Sequence, residues 1–302
     1  MKVLVTGAWN CTSEQLKQIE KLGHTVIFMQ NEKDELPCPY EEVEGVICNG
    51  LFLSHPIEKF TSLRYIQLIS AGFDRVPMDY VNKKGIAIYN ARGVYGIPMA
   101  EFAVCGVLNL YKQSRFFYDN QKKCKWEKNR DVLELFGKTV CIIGCGNIGT
   151  ECAKRFKVFG CCIVGVDIKP YENEFYDTMF PLENLDDALR TADITVLTLP
   201  LTDETRHLIN GPRFAVMKQG SVVVNIARGA IVDTDYMINA LKTKLLGAVL
   251  DVFEEEPLDE NSELWTLDNV VITPHNSFVG DGNQKRIFEC IYTTLLRLGE
   301  NN

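Results

Sequence analysis

From Met1 to Tyr89, short apolar runs alternate with stretches whose apolar residues return at helical spacing. Lys2–Thr6, Thr25–Met29, Gly45–Cys48, Tyr65–Leu68 and Ile86–Tyr89 read as parallel strands, nearly continuous apolar runs of the kind buried on both faces. Thr12–Leu22 has helical spacing behind a Thr12/Ser13 cap. Pro98 to Tyr118 is one long helical pattern, followed by a polar stretch, Asp119–Asp131, that carries Trp126. A second series then starts: Thr139–Ile143, Ile163–Asp167, Ile194–Leu199, Ser221–Asn225, Gly247–Leu250 and Val270–Thr273 read as six strands separated by helices. Lys285–Leu298 is helical again. Strands alternating with helices predict an α/β fold with parallel sheets covered on both faces.

The length, 302 residues, suffices for two domains. No run approaches the ~20 apolar residues that span a bilayer. The opening Met1-Lys2-Val3-Leu4-Val5-Thr6-Gly7 is too short a run for a signal peptide and reads as a strand, so a cytoplasmic location is expected. Forty acidic against thirty-two basic side chains leave a net charge of −8, which argues against a nucleic-acid or anionic-membrane partner. Eleven cysteines are an odd number without a C-x-x-C pair, and they read as reduced, buried thiols. Cys145 is the one expected to be prone to oxidation, because it stands inside a glycine-rich turn.

That turn is the strongest local signal. Val140-Cys141-Ile142-Ile143 runs into Gly144-Cys145-Gly146-Asn147-Ile148-Gly149, a helix-like run (Glu151–Phe159) follows, and the next strand ends at Asp167. The acid lies eighteen residues after Gly149, close to the ~20 expected of a dinucleotide site. Gly144 permits the tight turn, Gly146 lets a pyrophosphate approach the backbone, and Gly149 lets helix and strand pack closely. The helix N-terminus, with Asn147 and Ile148, offers unpaired N–H groups to phosphate. Asp167 would accept from the ribose hydroxyls and repel a 2′-phosphate, which favours NAD over NADP. The expected architecture is two doubly wound parallel-sheet domains, the second a Rossmann NAD-binding domain (98–278). It is inserted before a C-terminal helix that returns to a flavodoxin-like substrate-binding domain (1–97 and 279–302).

Three later motifs put polar residues at strand ends, where open α/β sheets bind ligands: Asn225-Ile226-Ala227-Arg228-Gly229, Asp251-Val252-Phe253-Glu254-Glu255-Glu256-Pro257 and Thr273-Pro274-His275. With Leu199-Pro200-Leu201-Thr202-Asp203-Glu204-Thr205, they resemble in order and spacing the D-isomer-specific 2-hydroxyacid dehydrogenases, from about Ile69 to His275. The resemblance implies hydride transfer between nicotinamide and C2 of a small 2-hydroxy or 2-keto acid. Arg228 would bind the substrate carboxylate and polarise the C2 oxygen, His275 would serve as acid or base, and Glu256 would partner it. Backbone amides of Ala71-Gly72 would meet the carboxylate. Asp251, Ile226, Ala227 and Arg228 would border the nicotinamide, with Leu199, Pro200 and Thr205 lining the cofactor cleft. A homodimer through the NAD-binding domain is also implied, using the helix from about Pro98 and the Asp119–Asp131 arm, with Phe102, Leu110, Phe116, Phe117 and Trp126 as candidate contacts.

The chemistry asks for the same residue types. Negative charge grows on the carbonyl oxygen during reduction, so a fixed cation there lowers the barrier. A guanidinium forks onto a planar carboxylate. Histidine titrates near neutrality, and a carboxylate neighbour favours its charged form. His24, His55 and His207 lack such a setting and read as structural, while Arg64, Arg75 and Arg92 read as scaffold ion pairs rather than phosphate contacts. No cluster has metal-ligand spacing, and the reaction needs no metal. A formate-type dehydrogenase would pair its histidine with an amide, and Glu256 is a carboxylate. The family also includes NADH-sensing corepressors, which turnover would distinguish. After His275, Asn276-Ser277-Phe278-Val279-Gly280-Asp281 departs from the family's small-residue and threonine continuation, which bears on substrate size.

Overall fold

The computed structural model describes residues 1–300, with side chains through Leu298. The chain divides into two units, Met1–Tyr95 with Gly280–Asn302, and Gly96–Val279.

The first unit runs β1 (Lys2–Thr6), α1 (Ser13–Lys21), β2 (Thr25–Met29), β3 (Gly45–Cys48), β4 (Tyr65–Leu68), α2 (Met78–Lys84) and β5 (Ala87–Tyr89). Its strands form one parallel sheet in the order β2-β1-β3-β4-β5. The period of two along a strand, with a core on each face, explains why the runs are apolar at most positions. Leu4 packs into one core with Val46, Ile66 and Leu68, while Val3 and Val5 face the other core with Ile47 and Tyr65. The second core is closed by Ile287, Ile291 and Leu295 of the C-terminal helix Asn283–Glu300, so that segment does return to this sheet. Thr12 and Gln15 form a reciprocal capping box on α1.

The second unit opens with α3 (Gly96–Tyr111) and α4 (Ser114–Lys122). The single helix expected over this stretch is broken at Gln113, which has φ 55° and whose backbone N–H and side-chain amide both donate to the Leu110 carbonyl, closing the helix there. Next come β6 (Thr139–Ile143), α5 (Asn147–Val158), β7 (Cys162–Asp167), β8 (Thr178–Pro181), α6 (Leu185–Thr191), β9 (Ile194–Leu197), α7 (Gly211–Val216), β10 (Val222–Asn225), α8 (Thr234–Thr243), β11 (Gly247–Leu250) and β12 (Val270–Ile272). All seven strands are parallel, in the order β12-β11-β10-β9-β6-β7-β8. The strand missing from the sequence expectation is β8. It is short, ends in Pro181 and lies at the sheet edge, where an absent N–H is tolerated and no apolar run is required.

The chain leaves β6 toward one edge, through β7 and β8, and then returns to build β9 to β12 on the other side. The crevice at the C-terminal ends of β6 and β9 is therefore the topological switch point. Among the described residues, no helix is long and apolar enough to cross a membrane.

Candidate active site

The glycine turn stands at this switch point. Gly144 has φ 92°, and a Cβ there would come within 2.7 Å of the Leu199 amide at the end of β9. Thr198 Oγ1 donates to the Gly144 carbonyl at 2.6 Å and ties the two strand ends together. A Cβ on Gly149 would fall 2.2 Å from the Gly144 carbonyl oxygen, so only glycine lets α5 pack this closely. A Cβ on Gly146 would meet nothing within 4 Å. No side chain caps α5 at Gly146, so the first-turn amides at Asn147 and Ile148 point into the same open space. Asp167, at the end of β7, accepts from Cys145 N at 2.8 Å and remains half-buried. An open cradle, an uncapped helix start and a carboxylate beside them fit a dinucleotide.

Cys145 departs from expectation. It is 1% exposed, and burial pushes its thiol up to about 12, so it carries almost no reactive thiolate. Tyr171, which the motif reading missed, donates from its hydroxyl to the Cys145 carbonyl at 2.6 Å and braces the turn from outside.

The candidate reaction residues are set by the ends of β10, β11 and β12. Asn225, 1% exposed, accepts from Ala227 N and donates to the Arg228 carbonyl, and so shapes the turn that presents Arg228. Arg228 is half-buried, and its Nη1 donates to the Ala227 carbonyl at 2.7 Å. His275 sits at φ 51°, a region costly for a side chain with a Cβ, and is held there by its neighbours. Its N–H donates to the Asp251 carbonyl at 2.8 Å. The Asp251 carboxylate, fully buried, accepts from Thr273 Oγ1, Asn276 N and Ser277 N at 2.6, 2.7 and 2.9 Å. Asp251 is thus observed as the anchor of the histidine loop, a role beyond the nicotinamide contact expected of it. Asn225 and Asp251 were legible only as motif positions. Their positioning roles depend on which strands lie side by side.

His275 Nδ1 lies 2.8 Å from Glu256 Oε2, and Glu256 Oε1 accepts from Phe253 N at 3.0 Å. An ionised carboxylate only accepts, so Nδ1 is the donor in this contact, which leaves Nε2 as the ring nitrogen available to a ligand. The three consecutive acids separate cleanly. Glu254 pairs with His207 at 2.7 Å and with Thr234, Glu255 points to solvent, and Glu256 reaches the imidazole. Phe278 packs edge-on against His275 with centroids 6.1 Å apart.

Ile226 and Ala227 are buried beneath the arginine turn. Pro200 is exposed, while Thr205 is buried and bonds within its own loop, accepting from Thr202 N and donating to the Pro200 carbonyl. In the first unit, the carbonyls of Ala71 and Gly72 are engaged by Asn90 Nδ2 and Ser70 Oγ, which fixes the peptide orientation of that loop. Arg64 pairs with Glu44 at 2.8 Å, while Arg75 and Arg92 are exposed. His55 is buried between the Tyr40 hydroxyl and the Glu32 carbonyl, a structural placement.

A family model, D-isomer specific 2-hydroxyacid dehydrogenase, NAD binding domain, matches residues 104–277. The chain is 34% identical over 292 residues to D-3-phosphoglycerate dehydrogenase of Methanocaldococcus jannaschii, a match covering 94% of this chain and 55% of that protein. It thus spans little more than half the length of that relative. It is 36% identical over 251 residues to glyoxylate reductase of Pyrococcus horikoshii, covering 79% of this chain and 74% of that one. Among solved structures, D-lactate dehydrogenase of Aquifex aeolicus complexed with NAD and lactic acid superposes with a TM-score of 0.79 at 27% identity, covering 99% and 96% of the two chains.

Proposed function

The chain belongs to the D-isomer-specific 2-hydroxyacid dehydrogenase family, and from that premise we propose that it is an oxidoreductase interconverting a small 2-keto acid and its D-2-hydroxy acid, with NAD as its dinucleotide. The observation that carries this reading is the 2.8 Å contact between Glu256 and His275, a carboxylate–imidazole pair able to hold and release a proton at Nε2. The same contact favours a keto acid over formate, since an amide would not stabilise an imidazolium.

When bound, the nicotinamide supplies or accepts the hydride. The protein's residues do the rest. Arg228 holds the substrate carboxylate and faces the C2 oxygen, and His275 gives or takes the proton on that oxygen; the Ala71-Gly72 amides of the first unit are a further group of donors suited to a carboxylate. Gly144, Gly146, Asn147, Ile148 and Gly149 cradle the pyrophosphate, and Asp167 receives the ribose hydroxyls. Leu199, Pro200, Thr205, Ile226 and Ala227 line the dinucleotide cleft, and Asp251 borders the nicotinamide end while anchoring the histidine loop. The Phe278 ring beside His275 offers an apolar wall, which favours a substrate carrying a carbon side chain over a phosphorylated one.

The test is a panel of 2-keto acids (glyoxylate, hydroxypyruvate, pyruvate, branched-chain keto acids and phosphohydroxypyruvate) assayed with NADH and with NADPH. Steady turnover of at least one acid, faster with NADH, is expected. Asp167→Ser should narrow the NADH/NADPH ratio. Tight NADH binding without turnover of any acid would move the reading to a dinucleotide-sensing corepressor. Preference for NADPH would remove Asp167 from its role.

We also propose that the chain pairs with a second copy through α3, α4 and the following arm. Phe102 and Leu110 pack mainly against the unit's own core, but Trp126 is 98% exposed, and Phe117 and Tyr118 are exposed nearby. Light scattering at micromolar concentration should give about twice the 34.2 kDa chain mass. A monomer mass would refute this.

A further inference from the structure

A second histidine–carboxylate pair lies beside the first. His207, in the loop after β9, has its Nε2 2.7 Å from Glu254 Oε2 and its Nδ1 3.7 Å from Asp233 Oδ2. Like His275 it holds a left-handed backbone, at φ 48°, with its N–H on the Ala230 carbonyl at 2.8 Å. The other oxygen of Glu254 accepts from both the N–H and the hydroxyl of Thr234, at 3.0 and 2.7 Å, at the start of α8. Burial alone would raise the Glu254 carboxyl, but hydrogen bonds from Thr234 and His207 outweigh it and hold the carboxyl below its usual range. Asp233 meanwhile caps α8 through Tyr236 N.

The segment held in this way is the one that carries Glu256. Phe253 N donates to Glu256 Oε1, and the adjoining peptide lies against the arginine turn, since a Cβ on Gly229 would fall 1.8 Å from the Phe253 carbonyl carbon. A single short loop therefore touches Arg228's neighbour on one side and presents Glu256 to His275 on the other. Glu254 is its tether to two other strand-end loops.

We propose that His207 and Glu254 are positioning residues for the proton relay, a clasp that fixes Phe253–Glu256 so that the Glu256 carboxylate meets Nδ1 of His275. The proposal rests on the reading of Glu256–His275 as the relay. The clasp acts through the Glu256 carboxylate rather than on the substrate. Its loss lowers the rate by letting the carboxylate drift from the imidazole, and leaves the affinity of the glycine turn for dinucleotide intact.

The experiment measures kcat and KM for the best keto acid, and the Kd for NADH by fluorescence, in His207→Ala, Glu254→Ala, Glu254→Gln, Glu256→Gln and the His207→Ala/Glu256→Gln double variant. His207→Ala and Glu254→Ala should lower kcat on the order of tenfold to a hundredfold, as small misplacements of reacting groups do, with the Kd for NADH unchanged. Glu254→Gln keeps a hydrogen-bonding group of the same shape and should retain more of the rate than Glu254→Ala. Adding His207→Ala to Glu256→Gln should cost little further, because the clasp acts through that carboxylate. General destabilisation would instead weaken NADH binding and add its loss in full to the double variant, and either result overturns the proposal. A slow Glu256→Gln with a wild-type rate in His207→Ala overturns the clasp alone. A wild-type rate in Glu256→Gln overturns the relay and the clasp together.

Discussion

His275→Gln should lower keto-acid reduction by ~10²–10⁴-fold while leaving NADH binding in place. The glutamine side chain can still hydrogen-bond, but it has no proton to deliver to the C2 oxygen, and the glycine turn proposed for the dinucleotide lies apart from it, at the ends of β6 and β9. The direction of the pH dependence follows from proton counting. Reduction consumes a proton and oxidation releases one, so with the proposed relay reduction should be favoured toward lower pH and oxidation of the hydroxy acid toward higher pH. Glu256→Gln removes the carboxylate that stands 2.8 Å from Nδ1 but keeps a group of similar shape. Without that charge the imidazolium loses its partner, so the rate of reduction should fall, though less than in His275→Gln, which has no proton donor left. Reductive and oxidative pH profiles of the wild type and both variants, under conditions where chemistry limits the rate, test this. Full activity of Glu256→Gln across the whole profile would take Glu256 out of the mechanism.

Arg228→Ala should cost ~10²–10³ in kcat from the lost stabilisation of charge on the C2 oxygen, and more in kcat/KM because the carboxylate anchor goes with it. Arg228→Lys separates charge from geometry. It keeps the cation but loses the planar fork, so both KM and kcat should worsen, though less than in the alanine variant. NADH affinity should be nearly unchanged in both. The turn itself should survive, because Asn225 bonds the Ala227 and Arg228 backbone rather than the guanidinium. Steady-state kinetics on the best keto acid, with NADH binding measured separately, distinguish these outcomes. Near wild-type efficiency in Arg228→Ala would place the reaction centre elsewhere.

Much of the fold was legible before any coordinates. The runs at Lys2–Thr6, Thr25–Met29, Gly45–Cys48, Tyr65–Leu68, Thr139–Ile143 and Gly247–Leu250 coincide with strands to the residue. All of these except the edge strand Thr25–Met29 are largely buried on both faces, which favours apolar residues at nearly every position, and that demand is local. The Thr12 cap was legible for the same reason, since donor and acceptor lie three residues apart. The break at Gln113 was not, because a left-handed residue in a helical pattern leaves no mark on the periodicity. Nor was β8, whose edge position relaxes the requirement for apolar residues.

The site divides along the same line. Residue types and their spacing single out the glycine turn, Asp167, Arg228 and His275 as candidates, because phosphate, ribose, carboxylate and proton each demand a particular functional group at a strand end. Sequence alone left three adjacent acids after Phe253, with only the following Pro257 to favour Glu256. Their different partners depend on bonds across 47 residues for Glu254 and 19 for Glu256. The same holds for Asp251, whose grip on the histidine loop spans 22 to 26 residues, and for the burial of Cys145 beneath the turn. These contacts exist because β10, β11 and β12 lie side by side in register, with Asp251 N on the Asn225 carbonyl and Thr273 N on the Leu250 carbonyl. Periodicity specifies what each strand is and which way its side chains face. Which loops then meet at the strand ends is set by the order of strands in the sheet, and only the folded chain brings those distant donors and acceptors within hydrogen-bonding distance.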